Sequence, residues 1–236
     1  MASRFAQRSD EIEIMDDLQC HGEVVHQTLR ELEFINRWLG GNAVTLDGVR
    51  QLIKNQEGRS LTIADLGCGS GDMLKLLAEW GRKNNLILKL TGIDANPHII
   101  DFARNHCKDY PEISFETLDI FSVEFQKRTY DIVMGTLFYH HFQNDALIDF
   151  FSKLKKQIQV GLVINDIHRH GLAFYSIRIL TKMFSKSAMV KVDAPLSVLR
   201  AFTREELRTI LVKAGVEPFQ LRWKWAFRWQ VVYRQS

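Results

Sequence analysis

Ile63-Ala64-Asp65-Leu66 is an apolar run that ends in Gly67-Cys68-Gly69-Ser70-Gly71-Asp72, and a helix-periodic stretch follows. Three glycines at alternate positions between a strand and a helix constrain this chain more than any other feature. Gly67 and Gly69 let backbone approach a ligand with no Cβ in between, and a helix opening near Asp72 turns its unpaired N–H groups back toward the same place. The stretch reads as a cradle for a nucleotide-type cofactor. A dinucleotide-binding loop carries glycine at its first, third and sixth places; here Gly71 is fifth and Asp72 is sixth. A carboxylate at that point suits a sulfonium or ammonium group better than a pyrophosphate.

Around the cradle the chain alternates. Strand patterns at 61–65, 88–94, 113–117, 130–134 and 162–165 are interleaved with helical ones at 72–80, 97–107 and 145–154, which predicts a parallel sheet with helices on both faces. Asn96-Pro97 is an N-cap followed by proline at the first helical position, and Thr203-x-x-Glu206 is a capping box whose helix Gly215 closes. Residues 219–225 and 227–233 alternate as a final antiparallel pair. Ahead of the cradle, residues 1–59 read as an N-terminal helical cap, with Val24, Val25, Leu29, Leu32, Ile35 and Leu39 recurring at three and four until Gly40-Gly41 ends the helix. Residues 60–236 then form the cofactor-binding domain, interrupted at about 170–200 by an inserted lid helix. In that helix Arg178, Lys182 and Lys186 share one face against Phe174, Ile177, Leu180 and Phe184.

Composition narrows the partners. A formal charge of +3 over 236 residues is too small to argue for nucleic acid. Cys20, Cys68 and Cys107 form no pair and no disulfide framework, the N-terminus lacks the apolar run of a signal peptide, and no window is long enough to span a membrane. A cytoplasmic protein is expected. Cys68, inside the glycine turn, serves as a small residue beside the ligand.

Asp65 followed by the alternate glycines closely resembles the first motif of the class I S-adenosylmethionine-dependent methyltransferases, and the residues after the next strands match that family in order. The resemblance covers about residues 60–165. It implies a Rossmann-like doubly wound sheet of seven mostly parallel strands with an antiparallel last strand, and S-adenosyl-L-methionine as cofactor. Asp65, Gly67, Cys68, Gly69 and Gly71 then form the cradle, and Asp94 with Ala95 holds the ribose hydroxyls. Asp119 accepts the adenine amine, Ile120 packs on the ring, and Gly135 opens the segment after the fourth strand. Members of this family often lay N-terminal helices over the cofactor mouth, which makes Asn36 and Arg37 candidates for a carboxylate clamp.

The acceptor side is read from histidines. Gly135-Thr136-Leu137-Phe138-Tyr139-His140-His141-Phe142 lacks the N-P-P-Y or D-P-P-Y signature, which argues against methylation of a base or glutamine amine. His140, His141, His168 and His170 fall at two neighbouring strand ends, where the transferred methyl should lie. A histidine with its ordinary pKa near 6.5 can accept a phenol's proton as the oxygen attacks. His140 and His168 rank first as bases, with Asp166 as the alternative. A metal held by Asp166, His168 and His170 is disfavoured, because the two histidines share a face only in extended chain and oxygen ligands dominate in the family's metal-dependent members; no metal is expected. Phe174, Tyr175, Phe184 and Phe202, with Trp223, Trp225 and Trp229, suit a flat apolar acceptor or simply form core. The leading expectation is a small-molecule O-methyltransferase for a phenolic or polyketide-like hydroxyl of natural-product type. Its rivals are C-methylation of a quinone-type ring, with the basic lid touching a membrane surface, and a cofactor-binding partner with no turnover of its own.

Overall fold

The computed structural model describes residues 4–54 and 58–235. In chain order the elements are α1 (Glu23–Trp38), α2 (Gly41–Ile53), β1 (Leu61–Leu66), α3 (Asp72–Lys83), β2 (Leu88–Asp94), α4 (Pro97–His106), β3 (Ile113–Thr117), α5 (Val123–Gln126), β4 (Tyr130–Thr136), α6 (Asn144–Leu154), β5 (Ile158–Ile167), α7 (Gly171–Phe184), α8 (Ala188–Arg200), α9 (Arg204–Lys213), β6 (Phe219–Lys224) and β7 (Arg228–Arg234). The seven strands lie in the order β3-β2-β1-β4-β5-β7-β6, and β7 alone runs against its neighbours. This is the Rossmann-like doubly wound α/β sheet that the alternation and the resemblance led us to expect.

The central strands read as continuous apolar runs because both their faces are covered. One face packs Leu66, Val133 and Ile164 against Leu147, Phe151, Leu207 and Ile210 of α6 and α9. The other packs Ile63, Met134 and Val163 against Val49, Leu52, Leu74 and Leu77 of α2 and α3. Gly48 sets how closely α2 approaches: a Cβ there would stand 2.6 Å from Val163 Cγ1. Strand order reverses between β1 and β4, so a crevice opens beyond their carboxyl ends.

Two expectations change. Gly40, left-handed at φ 72°, does end α1, but Gly41 starts a second helix whose buried face covers the sheet. The helical region expected over 1–59 thus divides its work, α2 packing on β5 and β7 while α1 and residues 9–18 lie over the strand ends. The inserted lid is also two helices instead of one. Ser187 caps α8 by accepting from Val190 N, and Glu31 of α1 binds the intervening turn, accepting from Lys186 N at 3.0 Å, Ser187 N at 3.1 Å and the Ser185 hydroxyl. The side chains face differently from the expected stripe: α7 buries Ala173, Phe174 and Thr181 and leaves Leu180 and Phe184 exposed.

Glu31 therefore clasps the lid to α1. Glu31→Ala should raise amide exchange across residues 185–190 by at least about tenfold and cost roughly 1–3 kcal/mol, with exchange in the sheet unchanged. Hydrogen exchange read by mass spectrometry checks this.

Candidate functional site

A cavity of about 1080 Å³ occupies the crevice, its floor made by the strand ends and its roof by α1, α8 and residues 10–18. Of the residues singled out in the sequence, Asp65, Gly67, Cys68, Gly69, Asp94, Ala95, Asp119, Ile120 and His140 line it.

The cofactor half follows from the turn after β1. Gly67 and Gly69 take φ 65° and 52°, backbone that side chains rarely adopt. A Cβ on Gly67 would overlap the Phe138 ring, whereas Gly69 has only Leu29, at 3.8 Å, above it, so its backbone faces open cavity. Gly71 and Gly135 do not reach the wall. A Cβ on Gly71 would strike Cys107 Sγ at 2.8 Å, and one on Gly135 the Tyr139 ring at 2.7 Å, so both glycines serve packing behind the site. Asp65 is fully buried with Oδ1 unpartnered among the described residues; burial, then Asp72 and Asp94, pushes its carboxyl well above the ordinary range. Burial also raises Asp94, which accepts from Asn96 N at 3.0 Å. Asp119 is exposed and accepts from Phe121 N at 2.9 Å.

The acceptor half is built on Asp166. Chain leaving β4 passes Leu137 at φ 55° and winds into a single tight turn over Tyr139–His141. Asp166, at the end of β5, accepts from Tyr139 N at 2.9 Å, His140 N at 3.1 Å and Ile167 N at 2.8 Å, and pairs with His140 Nδ1 at 2.7 Å. Burial alone would raise this carboxyl, but the His140 imidazole and the hydrogen bonds outweigh it and hold it below its ordinary range. A carboxylate at Nδ1 fixes the proton there and leaves Nε2 as an acceptor. Among the described residues that Nε2 has no hydrogen-bond partner; it stands 3.6 Å from Glu13 Oε1, which likewise has no hydrogen bond and lies 3.8 Å from Arg200 Nε.

Glu13 and Asp16 come from a segment the sequence reading did not single out. Glu13 is buried, its other oxygen accepts from Ser197 of α8 at 2.9 Å, and burial pushes its carboxyl up to about 7. Asp16 pairs with His141 Nδ1 at 2.6 Å and with Arg200; these outweigh burial and lower it to about 2. Glu13, His140 and His141 bring one ligand atom each within 4.8 Å of one another, a spacing open to a metal ion. Asp166, His168 and His170 make no such group among the described residues. Interleaved acids in Ile12-Glu13-Ile14-Met15-Asp16 were the available signal, and no local pattern links them to histidines 125 positions away.

His168 lies elsewhere. Its backbone N–H continues the pairing past β5 onto Phe227 O, which carries the ring to the β6–β7 hairpin, where Nδ1 accepts from Trp223 Nε1 at 3.3 Å and the ring centroid lies 4.7 Å from Trp229. It does not line the cavity, and burial lowers its pKa. Asp166 also stays behind the wall, covered by its own donors. Of the clamp pair, Asn36 lines the cavity and Arg37 does not. Asn36 Oδ1 accepts instead from Arg228 Nη2 at 2.9 Å. The buried Arg228 guanidinium, in the wall, keeps Nε and Nη1 without partners, has no carboxylate within 4 Å among the described residues, and is pushed down by burial to about 10.

Residues 63–161 match the family model described as a methyltransferase domain. A carboxy-S-adenosyl-L-methionine synthase of Campylobacter concisus is 24% identical over 188 residues, covering 71% of this chain and 74% of that protein. Its Helicobacter pylori counterpart is 27% identical over 168 residues, covering 70% and 66%. Among solved structures the fold is similar to human N-acetylserotonin methyltransferase in complex with S-adenosylmethionine (TM-score 0.65, 17% identity, 92% of this chain and 57% of that one). It is also similar to the plantazolicin methyltransferase with S-adenosylhomocysteine (0.57, 22%, 84% and 70%) and to the methyltransferase domain of the citrinin polyketide synthase (0.60, 16%, 80%). The chain spans about half the length of that last structure. At these identities the structures show the fold.

The orphaned polar atoms and open glycine backbone fit S-adenosylmethionine. On the expectation that Asp94 holds the ribose hydroxyls through charge-assisted hydrogen bonds, Asp94→Ala should weaken cofactor binding about 10²-fold by calorimetry, with the fold intact. Glu13 gives a separate pH signature. Its carboxyl binds protons more tightly folded (about 7) than at the ordinary 4.5, so the stability it contributes is full below the lower value and is lost as pH rises through the higher. Glu13→Gln keeps the neutral form and should flatten that decline, making the variant more stable at pH 8 by up to about 3 kcal/mol while matching the parent at pH 4; denaturant melts across pH test this.

Proposed function

We propose that the chain, whose residues 63–161 match the methyltransferase-domain family, is a class I S-adenosylmethionine-dependent methyltransferase that methylates a hydroxyl of a small aromatic acceptor, phenolic or polyketide-like, with His140 as general base. The observation that carries this reading is the Asp166–His140 pair, which presents an unpartnered Nε2 at the wall of the cofactor cavity.

In this reading the backbone of Gly67, Cys68 and Gly69 underlies the methionyl part, Asp94 takes the ribose, and Asp119 with Ile120 takes the adenine. Arg228, steadied by Asn36, is the cation for the cofactor's carboxylate. The cofactor supplies a methyl group already activated by its sulfonium charge. His140 Nε2 accepts the acceptor's proton as its oxygen advances. Asp166 holds Nδ1–H, keeps the ring in place and stabilises the imidazolium that results, so it positions the base instead of acting as one.

Arg228 favours a second reading. An unpaired buried guanidinium also suits a carboxylate carried on the cofactor's own methyl, the product that the curated relatives' name specifies. Mass spectrometry of ligand released from freshly purified protein separates the two. A mass heavier than S-adenosylmethionine by one carboxyl group supports the second.

For the first reading, His140→Ala should lower kcat by roughly 10²–10⁴-fold with cofactor affinity nearly unchanged, because the base acts only in the transition state. His168→Ala should leave kcat within about threefold of the parent. Turnover surviving His140→Ala at neutral pH would remove the base assignment.

A further inference from the structure

We propose that the outer face of α7 seats on an anionic lipid surface, so that the acceptor reaches the cavity from the membrane. Helix α7 is apolar on two opposite sides. Ala173, Phe174 and Thr181 point inward, and Ile177 lines the cavity. On the other side Leu172 (63% exposed), Ile179 (57%) and Met183 (67%) recur at seven and four, with Tyr175 beside them. A surface helix normally turns charged residues outward, and one apolar all round belongs inside something. Clustered apolar side chains on one exposed face mark a docking surface, unlike isolated ones.

Charge identifies the occupant. Arg178 and Lys182 flank the stripe, and Lys186 and Lys191 follow it. From His168 to Val192 there is no Asp or Glu; the first acid is Asp193, buried and engaged by Ile14 N and Met15 N. A second copy of this chain seated on the face would bring these like charges together, whereas a leaflet with anionic headgroups neutralises them. Long Lys and Arg stems over apolar side chains at about 1.5 Å rise per residue describe a helix lying in the interface plane. Among the described residues no helix is long and apolar enough to cross a membrane, so the contact is peripheral. The same helix walls the cavity from within, which makes a lipid-dissolved aromatic acceptor the class that fits. That substrate side rests on the methyl-transfer reading; membrane binding does not, and is measured apart from turnover.

The test uses the full chain loaded with S-adenosylhomocysteine and sedimented with vesicles, either phosphatidylcholine alone or phosphatidylcholine with about a third phosphatidylglycerol. Binding to the anionic vesicles is expected, with little to neutral ones, and it should weaken as salt is raised. Arg178→Gln and Lys182→Gln should each weaken it about fivefold, and Ile179→Asp with Met183→Asp should abolish it, the variants remaining folded by circular dichroism. No binding, or binding indifferent to these substitutions, overturns the proposal. So does a soluble dimer that Ile179→Asp converts to monomer, since that makes the face a protein interface. Vesicle binding without any methyl transfer would retain the membrane contact and remove the acceptor reading.

Discussion

The buried carboxylate of Asp166 is the joint on which the histidine turn after β4 depends. Three backbone N–H groups and one imidazole nitrogen converge on two oxygens, and three of those four donors belong to other elements than its own neighbour in sequence. An isolated carboxylate at that depth would be strongly unfavourable; here its lone pairs are occupied, so it stays charged and fixes the turn after β4 against the end of β5. The left-handed Leu137 just upstream is tolerated because that turn is over-determined by these bonds. The result is an imidazole whose tautomer and orientation are set by the fold, with one nitrogen left for chemistry.

A second network closes the site above it. Arg200, at the end of α8, donates to the carbonyl oxygens of His140, His141 and Glu11 and to the Asp16 carboxylate. Arg8 donates to the carbonyl oxygens of Arg200 and His140. The N-terminal segment, the second lid helix and the histidine turn are thereby one piece. The Glu31 clasp on the turn between α7 and α8 ties this piece to α1 as well.

The parts legible in sequence were those whose signals are local. Gly67 through Asp72, Asp94 after β2 and Asp119 after β3 each follow a strand directly, so pattern alone places them at one edge of the sheet. The lid was legible as an insertion but not as two helices, because its break is set by Ser185, Ser187 and a carboxylate more than 150 positions earlier. His140 and His168 looked alike in sequence, each just past a strand end. What separates them is that one chain turns back under the roof while the other goes on pairing with the β6–β7 hairpin. Glu13 and Arg228 were invisible for the same reason, their partners lying 184 and 192 positions away.

The roof and the histidine turn are therefore joined through α8. Ser197 of α8 holds Glu13 over His140 Nε2, and Arg200 of the same helix holds Asp16 against His141. Beneath this roof the His140 imidazole is buried, and the Glu13 carboxyl, pushed up to about 7 by burial, sits 3.6 Å from its Nε2. Were the roof absent, Glu13 would lose its low-dielectric surroundings, and the reason for its raised proton affinity would go with it. His140 keeps Asp166, which belongs to β5, whatever the roof does, so what occupies the space beneath α8 acts on the Glu13 side of the ring alone.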